Sequence, residues 1–156
     1  MIKGGCACGR IQYRVNAEKP LAVNACYCGT CQKVSGGPFL GFADYNSTSV
    51  TFTQPPDIWS SSDFAERGYC NVCGSAISMM YVFERERVGL TLGTINEADP
   101  PISGITYHMF LSEKASWYIV PDDVATRQAG FGDGFQAKVD KWKKEQGMAS
   151  EQGSAK

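Results

Sequence analysis

Apolar and polar positions alternate in short runs along most of the chain. Over Gly9–Val15, Ile11, Tyr13 and Val15 fall on one side, with Gln12 and Arg14 on the other. That is the period of a half-buried strand. Leu21–Ala25 is a second short apolar run, and it ends at Cys26. Ser35-Gly36-Gly37-Pro38 marks a turn, with a strand over Phe39–Phe42 after it. Ser49–Phe52 reads as a strand stopped by Pro55-Pro56. Asp57–Phe64 begins as a turn with room for a strand carrying Trp59, and Arg67–Tyr69 leads into Cys70.

Ala76–Phe83 is short and aromatic, which favours strand over helix. Arg87–Leu92 puts Val88, Leu90 and Leu92 on one face. Ile105–Leu111 and Trp117–Val120 read as strand or loop. From Phe135 the pattern changes: Ala137–Gln146 is rich in Lys and Glu and reads as one short helix, and Gly147–Lys156 as a frayed tail. The pattern therefore predicts a mainly β fold, with one domain over residues 1–135 and a short helix and flexible tail over 136–156.

Composition narrows the class. A chain of 156 residues that is 43% hydrophobic can bury a core without disulfides. Lys+Arg 15 against Asp+Glu 16 gives a net charge of -1, which offers nothing for nucleic acid. No apolar run is long enough to span a membrane. The start, MIKGGCACG, has no apolar export segment, so a reducing cytoplasm is expected.

In that compartment the 7 cysteines need a chemical reason. An odd count excludes complete internal pairing. They fall in three clusters: Cys6 and Cys8, then Cys26, Cys28 and Cys31, then Cys70 and Cys73. Cys6, Cys8, Cys70 and Cys73 form two short pairs, each followed by a glycine, Gly9 and Gly74. They suit the four thiolates of a structural zinc, with an iron–sulfur cluster or a redox CxxC as rivals. Cys26, Cys28 and Cys31 offer three thiolates, and three protein ligands with an open position is the pattern of a catalytic zinc. A site closed by His108, the only histidine, and a readily oxidised thiol cluster are the alternatives. Lys33 and Arg67 could attract an anion, and Trp59 and Phe64 could wall a pocket.

These residues resemble the glutathione-dependent formaldehyde-activating enzymes, also called the centromere protein V-like group, with the Mss4-like fold. The likeness lies in Gly4-Gly5-Cys6-Ala7-Cys8-Gly9 with Tyr13, Cys26-Tyr27-Cys28-Gly29-Thr30-Cys31 with Ser35-Gly36, Arg67 to Ser75, Gly93-Thr94-Ile95-Asn96, and His108 with Lys114-Ala115-Ser116-Trp117. It implies small antiparallel sheets organised around a structural zinc on Cys6, Cys8, Cys70 and Cys73. A second, catalytic zinc is implied on Cys26, Cys28 and Cys31. The implied activity is that of a carbon–sulfur lyase joining a thiol, glutathione, to a small carbonyl such as formaldehyde, or cleaving the adduct. A non-catalytic Mss4-like partner module and a zinc- or redox-responsive protein are the alternatives. The family usually has CHC in the triplet, where this chain has Tyr27 in the middle, and often Leu-Asp where it has Ile95-Asn96.

Overall fold

The computed structural model describes residues 1–148. The tail expected over 147–156 therefore lies mostly outside the described residues. The strands are β1 (Ile2–Gly5), β2 (Gln12–Val15), β3 (Ala22–Cys26), β4 (Leu40–Asn46), β5 (Val50–Phe52), β6 (Asp57–Ser62), β7 (Ala65–Tyr69), β8 (Ala76–Tyr81), β9 (Arg87–Thr91), β10 (Ile95–Ala98), β11 (Tyr107–Met109) and β12 (Thr126–Arg127). Two helices join them, α1 (Gly29–Ser35) and α2 (Asp133–Glu145). The architecture is mainly β, as the pattern predicts. Among the described residues no helix is long and apolar enough to cross a membrane.

The strands form two sheets. One is four-stranded and antiparallel, in the order β10-β1-β2-β5. The other has eight strands in the order β12-β11-β3-β4-β9-β8-β7-β6. It is mixed, because β11 pairs parallel to both β3 and β12. A parallel pairing needs a long crossover, which local alternation does not reveal.

Side chains alternate across a strand, so the large sheet presents two different faces. On β4, Ala43 and Tyr45 point into the main core, as do Leu90 on β9 and Ile77 on β8. They meet Ile2, Tyr13 and Val15 of the small sheet, together with Ile11 before β2. The same-face set predicted for Ile11, Tyr13 and Val15 is thus buried, and Val88 and Leu90 are buried as predicted. The opposite face carries Asn24, Phe42, Asp44, Arg87, Tyr107 and Met109, and these line a cavity instead.

Two elements go beyond the sequence reading. The triplet segment runs into a helix: α1 begins straight after Cys28, and Gly36 ends it in a left-handed conformation. Seven residues with only Cys31 buried give too little periodicity to signal a helix. Trp117–Val120 is loop, one of the two readings its sequence allows. Helix α2 starts at Asp133, before the predicted Ala137, because Gly132 supplies an extended N-cap and Phe135 already packs against Tyr81. Gly134 hides that first turn from a propensity reading.

The sheet contact is tightest at Gly4. A Cβ there would lie 2.2 Å from the Thr94 carbonyl oxygen and 2.3 Å from the Tyr13 hydroxyl. Tyr13 and Thr94 share a 2.8 Å hydrogen bond through their hydroxyls. Gly4→Ala must displace backbone as well as a buried ring. It is expected to destabilise the fold by about 1–3 kcal/mol, measurable by urea unfolding.

Candidate metal centres

The first centre is built from two matching turns. Cys6 and Cys8 lie between β1 and β2, and Cys70 and Cys73 between β7 and β8. In each turn the glycine N–H returns to the first cysteine: Gly9 to the Cys6 carbonyl at 3.0 Å, and Gly74 to the Cys70 carbonyl at 2.8 Å. Both glycines need a left-handed backbone, with φ of 76° and 75°. The Ile11 N–H donates to the Cys6 sulfur at 3.2 Å. Ser75 bridges the two turns, since its hydroxyl accepts from the Ala7 N–H at 3.1 Å and lies 3.2 Å from the Cys73 sulfur.

All four sulfurs lie within 4.8 Å of one another. Cys6 and Cys8 are 3.5 Å apart and Cys8 and Cys70 are 3.7 Å apart. A tetrahedron with zinc–sulfur bonds of about 2.3 Å has edges of about 3.8 Å. The donor set therefore fits zinc in kind and in spacing. Arg10 supports this turn pair: it donates to Asp57 at 2.8 Å, and Asp57 in turn accepts from the Asn71 N–H and side-chain amide, each at 3.1 Å. The Arg10 guanidinium holds the Asp57 carboxyl below its ordinary pKa.

The second centre sits across the large sheet. Cys26 ends β3, Cys28 caps α1, and Cys31 lies in its first turn. Their sulfurs also lie within 4.8 Å of one another. The Cys31 N–H donates to the Cys28 sulfur at 3.4 Å. Arg67 of β7 reaches in and donates to the Cys31 sulfur at 3.4 Å and, through Nε, to the Ser61 hydroxyl at 3.1 Å. Cys26 and Cys31 are buried, and Cys28 is partly exposed. Among the three, the Cys28 thiol is pulled down, first because Cys26 donates to its sulfur and then because Cys31 does. The same sharing pushes Cys26 up.

Cys26, Cys28 and Cys31 all line the cavity on the working face of the sheet, whose volume is about 480 Å³. None of the four cysteines of the first centre does. Of the other predicted positions, Arg67 and Phe64 line the cavity, whereas Trp59 and Lys33 do not.

His108 is not a fourth ligand to the triplet. It is 1% exposed, and both ring nitrogens are engaged elsewhere. Nε2 lies 3.0 Å from the Asp123 carboxylate, and Nδ1 lies 3.0 Å from the Tyr27 hydroxyl. With the proton on Nε2, Nδ1 accepts from Tyr27. This Tyr27–His108–Asp123 chain anchors the residue between Cys26 and Cys28 on the side away from the cavity. Sequence spacing could not reveal it, since Tyr27 and His108 are 81 positions apart.

Residues 1–113 match the family described as glutathione-dependent formaldehyde-activating enzyme. The chain belongs to that family. It is 28% identical over 127 residues to a Halomonas elongata protein named "Putative glutathione-dependent formaldehyde-activating enzyme", covering 75% of this chain and 79% of that one. It is 32% identical over 79 residues to an uncharacterized lyase of Schizosaccharomyces pombe, covering 51% and 57%. A crystal structure of a Rhodobacter sphaeroides protein shares the fold with a TM-score of 0.52 at 16% identity, over 65% of this chain and 99% of that one.

Two outcomes follow from the Tyr27–His108–Asp123 hydrogen-bond chain. Tyr27→Phe leaves the His108 Nδ1 buried without a donor and is expected to cost about 1–3 kcal/mol, read from chemical unfolding. The second concerns pH. His108 donates to the Asp123 carboxyl and lowers its pKa, helped by the Ala125 N–H. A carboxylate lowered on folding stabilises above its unfolded pKa and loses that contribution as pH falls through its folded value. The melting-temperature gap between wild type and Asp123→Asn should therefore be widest near neutrality and narrow below about pH 4.

Proposed function

We propose that this chain is a carbon–sulfur lyase of the formaldehyde-activating type, acting on an adduct between a thiol, glutathione, and a carbonyl. Cys6, Cys8, Cys70 and Cys73 would hold a structural zinc, and Cys26, Cys28 and Cys31 a catalytic one. The observation that carries this reading is the placement of the two centres: the triplet opens on the cavity, and the quartet does not. Bound to three thiolates, zinc is a weak acid toward water and suited to keeping a substrate thiol ionised at neutral pH.

The chain's own groups divide the remaining work. The Cys26 strand end and the α1 turn fix three sulfurs around one open side. Arg67 offsets part of their negative charge and places a cation next to the position a substrate sulfur would take. Phe42, Met79 and Met109 flank the cysteines on the cavity side and exclude water there. In the forward direction a carbon–sulfur bond forms, the carbonyl π bond breaks, and the thiol proton ends on the carbonyl oxygen. The reverse expels the thiolate. Neither direction takes up a net proton or electron.

Elemental analysis should find two zincs per chain, and Cys28→Ser should retain one while losing all acceleration of adduct exchange. Exchange between formaldehyde and its glutathione adduct, followed by NMR, is the readout. An unchanged exchange rate in Cys28→Ser would overturn the assigned role.

A further inference from the structure

The cavity is far larger than formaldehyde requires. About 150 Å³ is enough to hold a benzene ring, and this cavity has about 480 Å³. Part of its wall is aromatic, beginning at Phe110, which packs against the cysteine cluster. Tyr81 and Phe135 have ring centres 4.7 Å apart, Phe110 and Phe131 4.7 Å, and Phe131 and Phe135 4.9 Å. Phe131 and Phe135 lie beyond residue 113, where the family match ends. Phe110 sits in the left-handed region with φ of 60°, a costly conformation for a bulky residue, and its ring packs on Phe131.

The acidic groups on the wall, Asp44 and Glu84, already have cationic partners, and the Arg67 guanidinium is engaged by a hydroxyl and a sulfur. Arg87 donates to Asp44 at 2.6 Å, Lys138 pairs with Glu84, and Arg67 is held by Ser61 and Cys31. A glutathionyl group carries two carboxylates and an ammonium. Placing it in this cavity would leave those charges without partners or break existing pairs. The interior is therefore matched to the other half of the adduct.

We propose, building on the thiol-adduct reading above, that the cavity holds a neutral aromatic group carried on the substrate carbon that bonds to sulfur. The substrate class is then an aromatic aldehyde and its thiohemiacetal. The thiol sulfur bonds to the aldehyde carbon, the C=O π bond breaks, and the thiol proton moves to the oxygen, with nothing oxidised or reduced. The ring lies against Phe131 and Phe135 while the reacting carbon stays beside the cysteines.

Calorimetry on the zinc-loaded protein can compare S-benzylglutathione with S-methylglutathione, which differ only in the group on sulfur. The benzyl form should bind at least about tenfold more tightly. In Phe131→Ala and Phe135→Ala that ratio should collapse toward one. If alanine at 135 prevents folding, Phe135→Leu keeps apolar volume without the ring and serves the same comparison. A wild-type ratio near one, or a ratio unchanged in the variants, overturns the proposal.

Benzyl alcohol, followed by saturation-transfer NMR, separates the two readings. If neither thioether binds, but benzyl alcohol binds wild type and not the variants, the aromatic site stands and the thiol reading fails. If benzyl alcohol and both thioethers all fail to bind, the aromatic site is overturned.

Discussion

The approach of Cys6 and Cys8 to Cys70 and Cys73 is the constraint on which the rest of the structure depends. Cys8 and Cys70 are 62 positions apart, yet their sulfurs are 3.7 Å apart. The first pair hangs from the small sheet and the second from the large one, so this contact fastens the two sheets at one end. Cys6 and Cys70 are themselves members of the core between them. Closing so long a loop costs conformational entropy. A ligand bound by all four thiolates would offset that cost only in the folded chain.

The consequence travels along β7. Arg67 lies three residues before Cys70 on that strand, and its guanidinium reaches the Cys31 sulfur. The turn that holds one sulfur cluster thus sets the strand end from which the other receives its cation. The large sheet separates the two environments. Ala43, Tyr45 and Leu90 keep one face dry against the small sheet, while Phe42, Asp44 and Arg87, one residue out of phase, build the cavity on the other. Gly89 is small for the same reason: a Cβ would lie 2.9 Å from the Asp44 carboxylate.

What could be read in the sequence was what depends on local spacing. The cysteine pairs with their glycines predicted two tight turns, and both glycines adopt the left-handed backbone those turns require. The alternation of Ile11, Tyr13 and Val15 and of Val88 and Leu90 gave the buried faces directly. What could not be read depends on residues far apart in the chain. β11 joins β3 in parallel across more than eighty positions, and His108 reaches Tyr27 only through that pairing. The Asp44–Arg87 ion pair joins residues 43 positions apart and depends on the β4–β9 register. Beyond Phe64, the cavity's aromatic wall was hidden because Phe64, Tyr81 and the Phe131–Phe135 pair come from three separate segments.

Tyr27 shows why a departure in a motif need not reach the chemistry. It lies between two cysteines, so an exchange of side chain there invites an electronic explanation. Its ring, however, points away from the cavity and packs on Phe39, His108 and Tyr118. The hydroxyl ends on His108, whose far nitrogen is fixed by Asp123. Tyr27 therefore fixes the position of the backbone between Cys26 and Cys28, and its hydrogen bonds carry no charge to the sulfurs. The Gln32 amide strengthens the same point by donating to the Tyr27 carbonyl. Electrostatic control of the triplet falls to Arg67 from the opposite side. A rigid cysteine turn and a separate cation are independent devices, so a change in one leaves the other intact.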